Sequence, residues 1–567
     1  MENSFSVKRS PLVTRTFLSI LIPTIFMNLT TAIGSMADTV IIGQYLDDLS
    51  LSVVTYATPI YMVINTIAAL FAIGGCIAVS VDTGKGEKIS ANRAFSISVI
   101  CLVFLSMLLF FAGVFFTKQI TVMLGAGNEL VFDKVISYVR IILLGAPVFI
   151  LNISFAFFVR NDGRPKLSMA GMILSMGIDI ILNIVFVGFM SMGIAGAAIS
   201  TVIGQGVGLV IVGSHFFSKK NTLKFCFCFD TSVWRIIKNG IGSALSFVYQ
   251  FVTIIIMNHY VVQLSGPEGI VIYTVVFNLC TVSLAVFEGL SQTIQPMVSL
   301  YYGEKSNKKI KDSVKLAILS AVIICGSVMA VLEAFPAIVP HMFGISEAGL
   351  VEQSSLAVRI YTTSMFIMTL NVIIGNYIQS IELGPMTSIL VSLRCCVLLL
   401  MCVFVLGGSL GLDGIWAAYT VAEILTFAVF IALNIIKRKK LSKNNVNADV
   451  FFLDKKMEQG TASLVYECNT NEFENFYNEV RVLAEKIGVY NEKMLDAALE
   501  YLSKLKDVTQ NKKGKYIEVE FNACDEKIII SDNLSHDKLK EDFAKITDEG
   551  IEYGPVLGLN RICMKRS

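Results

Sequence analysis

Charge is what this chain has least of. Asp, Glu, Lys and Arg make up 16% of its 567 residues, against about 25% in soluble domains. With 54% hydrophobic residues and a mean hydropathy of +0.68, the shortfall excludes an ordinary soluble globule and points to a membrane protein. A net charge of only +2 removes the electrostatic reason for nucleic acid to be the main partner. The cysteines show no Cys-x-x-Cys spacing and no His partners at zinc spacing. Cys226 and Cys228, or the adjacent Cys395 and Cys396, therefore read as small apolar packing residues. No cleavable leader is evident. The first apolar segment is long and runs straight into others, so it reads as an uncleaved first helix.

The little charge present is unevenly spread. Residues 12–436 are almost free of it between short loops, whereas 437–567 read as a soluble sequence. A spanning helix needs roughly 20 apolar residues. Twelve stretches qualify, near 14–36, 53–80, 94–116, 135–158, 168–188, 193–217, 240–264, 270–298, 314–338, 357–381, 386–407 and 412–436. Basic residues fall in alternate loops: Lys8, Arg9 and Arg15; Lys85, Lys88 and Arg93; Arg160, Arg164 and Lys166; Lys219 to Lys238; Lys305 to Lys311; and Lys437 to Lys440. The positive-inside rule then puts both termini in the cytoplasm of a plasma-membrane protein.

The chain also repeats itself. Gly86-Glu-Lys88 returns as Gly303-Glu-Lys305, Pro165 as Pro385, and Gly193-Ile-Ala-Gly196 as Gly411-Leu-Asp-Gly414, at offsets of about 217–220 residues. Six spans per repeat make the halves parallel repeats, with a substrate cavity between them and rocking of one half against the other. The expected fold is an all-α polytopic membrane protein of two six-helix lobes, 1–220 and 221–440. A polar linker, 441–449, leads to a small α+β cytoplasmic domain over 450–567.

Polar groups inside spans mark pathways, because hydrocarbon offers them no partners. Asp38 lies near the end of the first apolar run, where a carboxylate costs roughly 2.5–3.5 kcal/mol. Pro23, fifteen residues earlier, removes a backbone donor and should kink that helix. Asp179 and Asn183 share one face of the fifth span by their i, i+4 spacing. Asn152 and Thr201 can add neutral oxygens. Two carboxylates with neutral oxygens suit Na⁺, which prefers hard ligands, or a proton shared by neighbouring acids; the choice stays open at this point. In the second half Glu288, Gln292, Asn258 and Asn278 are candidates for a cavity that takes organic cations. Aromatic faces attract such cations and Met adapts to their shapes.

Several stretches resemble the MATE (multidrug and toxic compound extrusion) transporters, in the bacterial branch of MepA-type and DinF-type pumps. They are Met36-Ala-Asp-Thr-Val-Ile-Ile-Gly43, Arg160-Asn-Asp-Gly-Arg-Pro-Lys166, Met192-Gly-Ile-Ala-Gly-Ala-Ala198, Gly289-Leu-Ser-Gln-Thr-Ile-Gln-Pro296 and Gly411-Leu-Asp-Gly-Ile-Trp416. The resemblance covers roughly residues 12–436. It implies an antiporter rather than an enzyme, exporting small organic cations against inward H⁺ or Na⁺, with no other cofactor. It also implies a cation site on Asp38, Asp179, Asn183 and Thr201, and the first-helix proline at Pro23. One departure is that many relatives carry Asn before Asp in the fifth helix, where this chain has Asp179 before Asn183. The swap moves each ligand by one turn, about 5.4 Å.

In the tail, Phe473–Ile487 and 491–508 show helical periodicity, and 516–521 and 527–531 read as a strand pair. The order is similar to the GHKL-type ATPase domain of anti-sigma-factor kinases. That resemblance implies a vestigial nucleotide site at Glu500, Asp532 and Gly558. Lys504 stands where the family carries its Mg²⁺-holding Asn, which argues against kinase activity and ATP binding. A regulatory module that takes a cytoplasmic protein partner is the expectation. Two further readings compete for the whole chain. A lipid-linked oligosaccharide flippase of the same superfamily would need several basic residues in its cavity, and Arg394 is the main basic residue in or near a second-half span. A membrane-anchored signalling protein would make Asp38 and Asp179 dispensable.

Overall fold

The computed structural model describes residues 10–46, 48–125, 129–227, 232–343, 345, 347–443, 448–454, 461–468, 473–487, 492–509, 512, 514–523, 526–534 and 551–565. Among the described residues eleven helices are long and apolar enough to cross a membrane, and a bent pair taken as one span makes twelve. In chain order they are α1 (Pro11–Tyr45), α2 (Ser52–Lys85), α3 (Lys88–Phe115), α4 (Glu129–Asn161), α5 (Pro165–Phe189) and α6 (Gly193–Phe217), then α7 (Ser232–Gly266), α8 (Gly269–Glu304) and α9 (Asn307–Ala334). α10 is bent by 43° between Ala348–Thr362 and Met365–Ser380, so the tenth span starts before the expected residue 357. α11 (Gly384–Leu410) and α12 (Leu412–Lys443) complete the set. α12 continues through the first residues of the expected linker. Pro23 sits inside one continuous α1 rather than at a break.

The spans form two lobes, α1–α6 and α7–α12. α1 belongs to both. Its first half, with Val13, Phe17, Ile20 and Leu21, packs in a core with Leu290, Ile294 and Met297 of α8 and Ile373 and Tyr377 of α10. Its far half runs along the first lobe. At one end of the bundle, called the tail side below, the lobes meet tightly. A Cβ on Gly84 would collide with the Leu300 carbonyl, and one on Gly303 with the Val81 carbonyl, so only glycine lets α2 and α8 cross here. Three local departures from α geometry are π-helical turns, at Ala69–Ile73, Ile184–Phe189 and Leu393–Val397.

The described residues of the tail form one antiparallel sheet and two helices. Its strands are β1 (Thr461–Glu467), β2 (Tyr516–Asn522), β3 (Lys527–Asp532), β4 (Ile551–Val556) and β5 (Leu559–Lys565), in the order β1-β2-β3-β5-β4. The helices α13 (Phe473–Ile487) and α14 (Glu492–Thr509) cover one face. Phe476, Val480, Tyr501 and Leu505 pack there on Val519, Phe521, Ile530 and Ile562. Strand alternation sends Glu518, Glu520, Asn522 and Arg561 to the opposite face. An antiparallel sheet commonly wets such a face. Here all four are buried, at 2–5% exposure, because that face lies on the tail side of the membrane bundle.

Candidate functional site

The acids of the first lobe come together. Asn183 of α5 donates from Nδ2 to Oδ1 of Asp38 on α1 at 3.1 Å. Asp179, one turn along α5, is 1% exposed and lies within reach of the Asp38 charge. The close approach of α6 shapes the pocket. A Cβ on Gly204 would stand 2.8 Å from the Asp179 Cβ and 2.6 Å from the Ser175 carbonyl. The Ser200 and Thr201 hydroxyls flank Asp179 from α6, but each donates its one proton to the Ala197 carbonyl instead, at 2.7 and 2.9 Å.

What marks this cluster is its surplus of acceptors. Both carboxylate oxygens of Asp179, Oδ1 of Asn183 and Oγ of Ser175 are buried with no hydrogen-bond partner among the described residues. Native proteins leave few such groups, and a missing ion or water is one of the standard causes. Carboxylate, amide and hydroxyl oxygens form the hard donor set that an alkali cation or a proton fits. No group of three or more His, Cys, Asp or Glu able to hold a metal occurs among the described residues. The π-helical turn of α5 begins directly after Asn183. Such turns frequently sit at functional sites.

Asn152 stands one tier further on. It is fully buried and donates from Nδ2 to Gln205 Oε1 at 2.7 Å, beside Gly208 and Ser175. Tyr61 and Tyr138, whose hydroxyls lie 3.1 Å apart, feel both acids. Sequence reasoning missed these two tyrosines, Gln205 and Ser175. Ser175 had a signal, being four residues before Asp179 on the same helical face. The tyrosines had none beyond lying in apolar spans.

The second-lobe candidates divide. Gln292 donates from Nε2 to Glu288 Oε2 at 3.3 Å and accepts from Asn28 of α1 at 3.3 Å, so both lie at the seam between lobes. Asn278 closes a bond to the Thr274 carbonyl of its own helix, and Asn258 is exposed; no hydrogen bond among the described residues joins either to Glu288. Arg394, in the α11 π-helical turn, is paired with Glu423 at 2.7 Å, and Asn371 donates to the other Glu423 oxygen at 2.7 Å. Arg160, grouped by sequence with the loop residues, is 1% exposed and reaches from α4 to Gln292 and Gln295 of α8 at 3.3 and 3.2 Å. Arg235 likewise joins Asp82 of the first lobe at 2.8 Å and Glu382 of the second at 2.6 Å. The tail side of the seam is therefore sealed by arginines.

The nucleotide residues expected in the tail are engaged otherwise. Glu500 is exposed and paired with Lys504 at 2.7 Å. Asp532 is fully buried and accepts from Tyr501, Asn560 and the Leu534 amide. Gly558 turns the β4–β5 hairpin, whose tip packs on Gly163 between α4 and α5.

Twelve spans in two lobes, with a buried acid pair inside one of them, define a multi-pass membrane transporter. The chain belongs to the MATE family: the MatE family profile matches residues 23–185 and 240–406, more than half of its length. It is 25% identical over 420 residues to the multidrug export protein MepA of Staphylococcus haemolyticus (strain JCSC1435), covering 73% of this chain and 91% of that one. With MepA of Staphylococcus aureus (strain MRSA252) it is 23% identical over 448 residues, 78% of this chain and 97% of the relative. Among solved structures, the outward-facing conformation of a multidrug resistance MATE family transporter of the MOP superfamily aligns with a TM-score of 0.71 at 20% identity, covering 78% of this chain and 100% of that one. A MOP superfamily transporter from Pyrococcus furiosus, described as having a binding pocket of reverse polarity, aligns at 0.70 with 21% identity, 77% and 100%. These structures establish the shared fold. Membership makes the chain a transporter of the multidrug efflux family and not an enzyme. The MepA relatives leave about a quarter of the chain unmatched.

Proposed function

We propose that this chain exports small organic cations by antiport with H⁺ or Na⁺, the lobes 1–220 and 221–440 rocking to alternate access. The observation that carries the reading is the buried Asp179 carboxylate, neither of whose oxygens has a hydrogen bond among the described residues, beside Asp38 and Asn183. A charged acid pair at that depth is costly unless it takes up a cation or a proton. Asp38, Asp179, Asn183 and Thr201 form the coupling site in this reading, with Asn152 behind them. Glu288, Gln292, Asn258 and Asn278 line the path for the organic cation. The basic loops support both termini, and hence the tail, lying in the cytoplasm of a plasma-membrane protein. There the tail would meet a regulatory protein rather than ATP.

Efflux of ethidium from proteoliposomes, with ΔpH and ΔNa⁺ imposed in turn, tests the reading and identifies the ion. Asp38→Asn should abolish coupled efflux in a protein that still folds. Undiminished coupled efflux by that variant would overturn the assignment. The flippase reading is weakened by Arg394, whose charge is already neutralised by Glu423 and so is not free for a pyrophosphate.

A further inference from the structure

The tail touches both lobes at the end where they meet. At the start of α1, whose first half packs in the second-lobe core, the Ser10 hydroxyl donates to Glu518 at 2.8 Å; on the first-lobe side, the Lys88 amide at the start of α3 donates to Glu552 at 3.4 Å. The β4–β5 hairpin tip, at Leu557 and Gly558, sits on Gly163 so closely that a Cβ there would strike the Gly558 amide. On the second-lobe side, Lys309 of α9 pairs with Glu520 at 2.5 Å and lies 3.9 Å from Glu518. Lys308 donates to Ser463 at 3.4 Å, and Asn307 to the Asp454 carbonyl at 2.9 Å.

One tail residue bonds to the ends of both α2 and α8. Arg561 of β5 is ion-paired through Nε with Glu304, the last residue of α8, at 2.8 Å. Its other nitrogens donate to the Thr83 and Gly84 carbonyls at the end of α2, at 3.2 and 3.4 Å. Burial works against its charge, but the Glu304 carboxylate, with Glu552 and Glu520 behind it, more than offsets this and raises its pKa. A planar guanidinium holds both sets of acceptors only while the ends of α2 and α8 stay together. If they part, Arg561 must give up one set: either its ion pair with Glu304, which then keeps only Lys309 at 4.0 Å among the described residues, or its bonds to the Thr83 and Gly84 carbonyls, and either loss weakens a buried charge cluster.

We propose that the tail domain is a conformational lock: docked, it holds the transporter closed on the tail side, and each transport cycle requires it to release one lobe. The inference rests on the alternating-access reading above. In a rocking transporter the tail side must open in one of the two states, and the docked tail is compatible only with the closed one. Arg561 is its positioning residue. A contact made in one state alone shifts the equilibrium toward that state by its differential free energy.

The test uses the full chain in proteoliposomes, with spin labels on non-canonical residues at Glu87 of the first lobe and Lys238 of the second, both exposed. Arg561→Ala should raise the population with separated tail-side ends several-fold and speed ethidium efflux. A distance distribution unchanged from wild type would overturn the lock, as would slower efflux with a lowered melting temperature and no shift in distance. Should Arg561→Ala fail to fold, cysteines at Lys88 and Glu552 and at Lys308 and Ser463, joined after folding by a reducible thiol cross-linker, would fasten the tail to both lobes at once. Efflux should then stop and return on reduction, while cross-linker on wild type does nothing. Efflux that persists in the fully cross-linked protein would also overturn the lock. If wild type moves no ethidium and its label distance ignores both gradients, the transport reading falls and the lock with it. If wild type transports and only Arg561→Ala is silent, the lock alone falls.

Discussion

The two lobes are repeats of one design, yet their buried polar clusters are built on opposite terms. In the first, among the described residues, Asp179 of α5 has two carboxylate oxygens without a hydrogen bond, and Asp38 accepts one from an amide. In the second, Glu423 has its own cation, Arg394 of the equivalent helix α11, and an amide from Asn371 on its other oxygen. Each helix carries a π-helical turn, directly after Asn183 in α5 and around Arg394 in α11. The difference between the clusters lies in whether the positive charge is supplied by the chain or left to be taken from outside. A carboxylate with a resident guanidinium has no need of an ion. A pair of carboxylates with only neutral oxygens around it does.

The largest expected effect breaks the first cluster. Asp179→Asn should take gradient-driven ethidium efflux to background while the variant keeps its melting temperature, because the charge removed was uncompensated. Near-normal efflux would make the two lobes functionally alike. Next, Arg394→Met strands Glu423 in a buried site and should cost about 3–5 kcal/mol of stability. Thermal unfolding of the purified variant reads this directly, and adding Glu423→Leu should recover most of the loss. A stable single variant would mean that the second-lobe pair is not the closed unit described here. Exchanging Asp179→Asn with Asn183→Asp keeps the inventory of ligands but moves the charge by one helical turn. Coupled efflux between wild type and Asp179→Asn is expected, and full activity would show that the order of the two residues is immaterial. The smallest effect belongs to Thr201→Val. It removes one hydroxyl ligand worth about 1 kcal/mol, a roughly fivefold weaker dependence on the coupling ion in an efflux titration.

The acids and the spans were legible in the sequence because each depends on local spacing. Asp179 and Asn183 share a face by periodicity alone, and a charge at Asp38 stands out against its apolar surroundings. The strand pair and the helices of the tail follow from alternation and period in the same way. What was not legible depends on surfaces far apart in the chain. Glu518 and Glu520 alternate with Ile517, Val519 and Phe521 as a solvent-facing row would, and nothing local reveals that Lys309 covers them. Arg160 and Arg235 read as loop cations until the opposing lobe is present to bury one and pair the other. The Asp532 carboxylate, which by resemblance would read adenine, is taken by Tyr501 and Asn560, a choice made only when β3, β5 and α14 pack together.

α1 has a consequence of its own. Its first half lies in the second-lobe core, its far half carries Asp38 into the first lobe, and Ser10 at its start is bonded to the tail. From Ser10 to Asp38 the axis measures roughly 42 Å at 1.5 Å per residue, with Pro23 close to its midpoint. Any relative rotation of the lobes must therefore be absorbed as bending in this one beam, and proline marks where its ladder of backbone bonds is weakest. The Asp38–Asn183 pair and the tail lie at the two ends of a single elastic member.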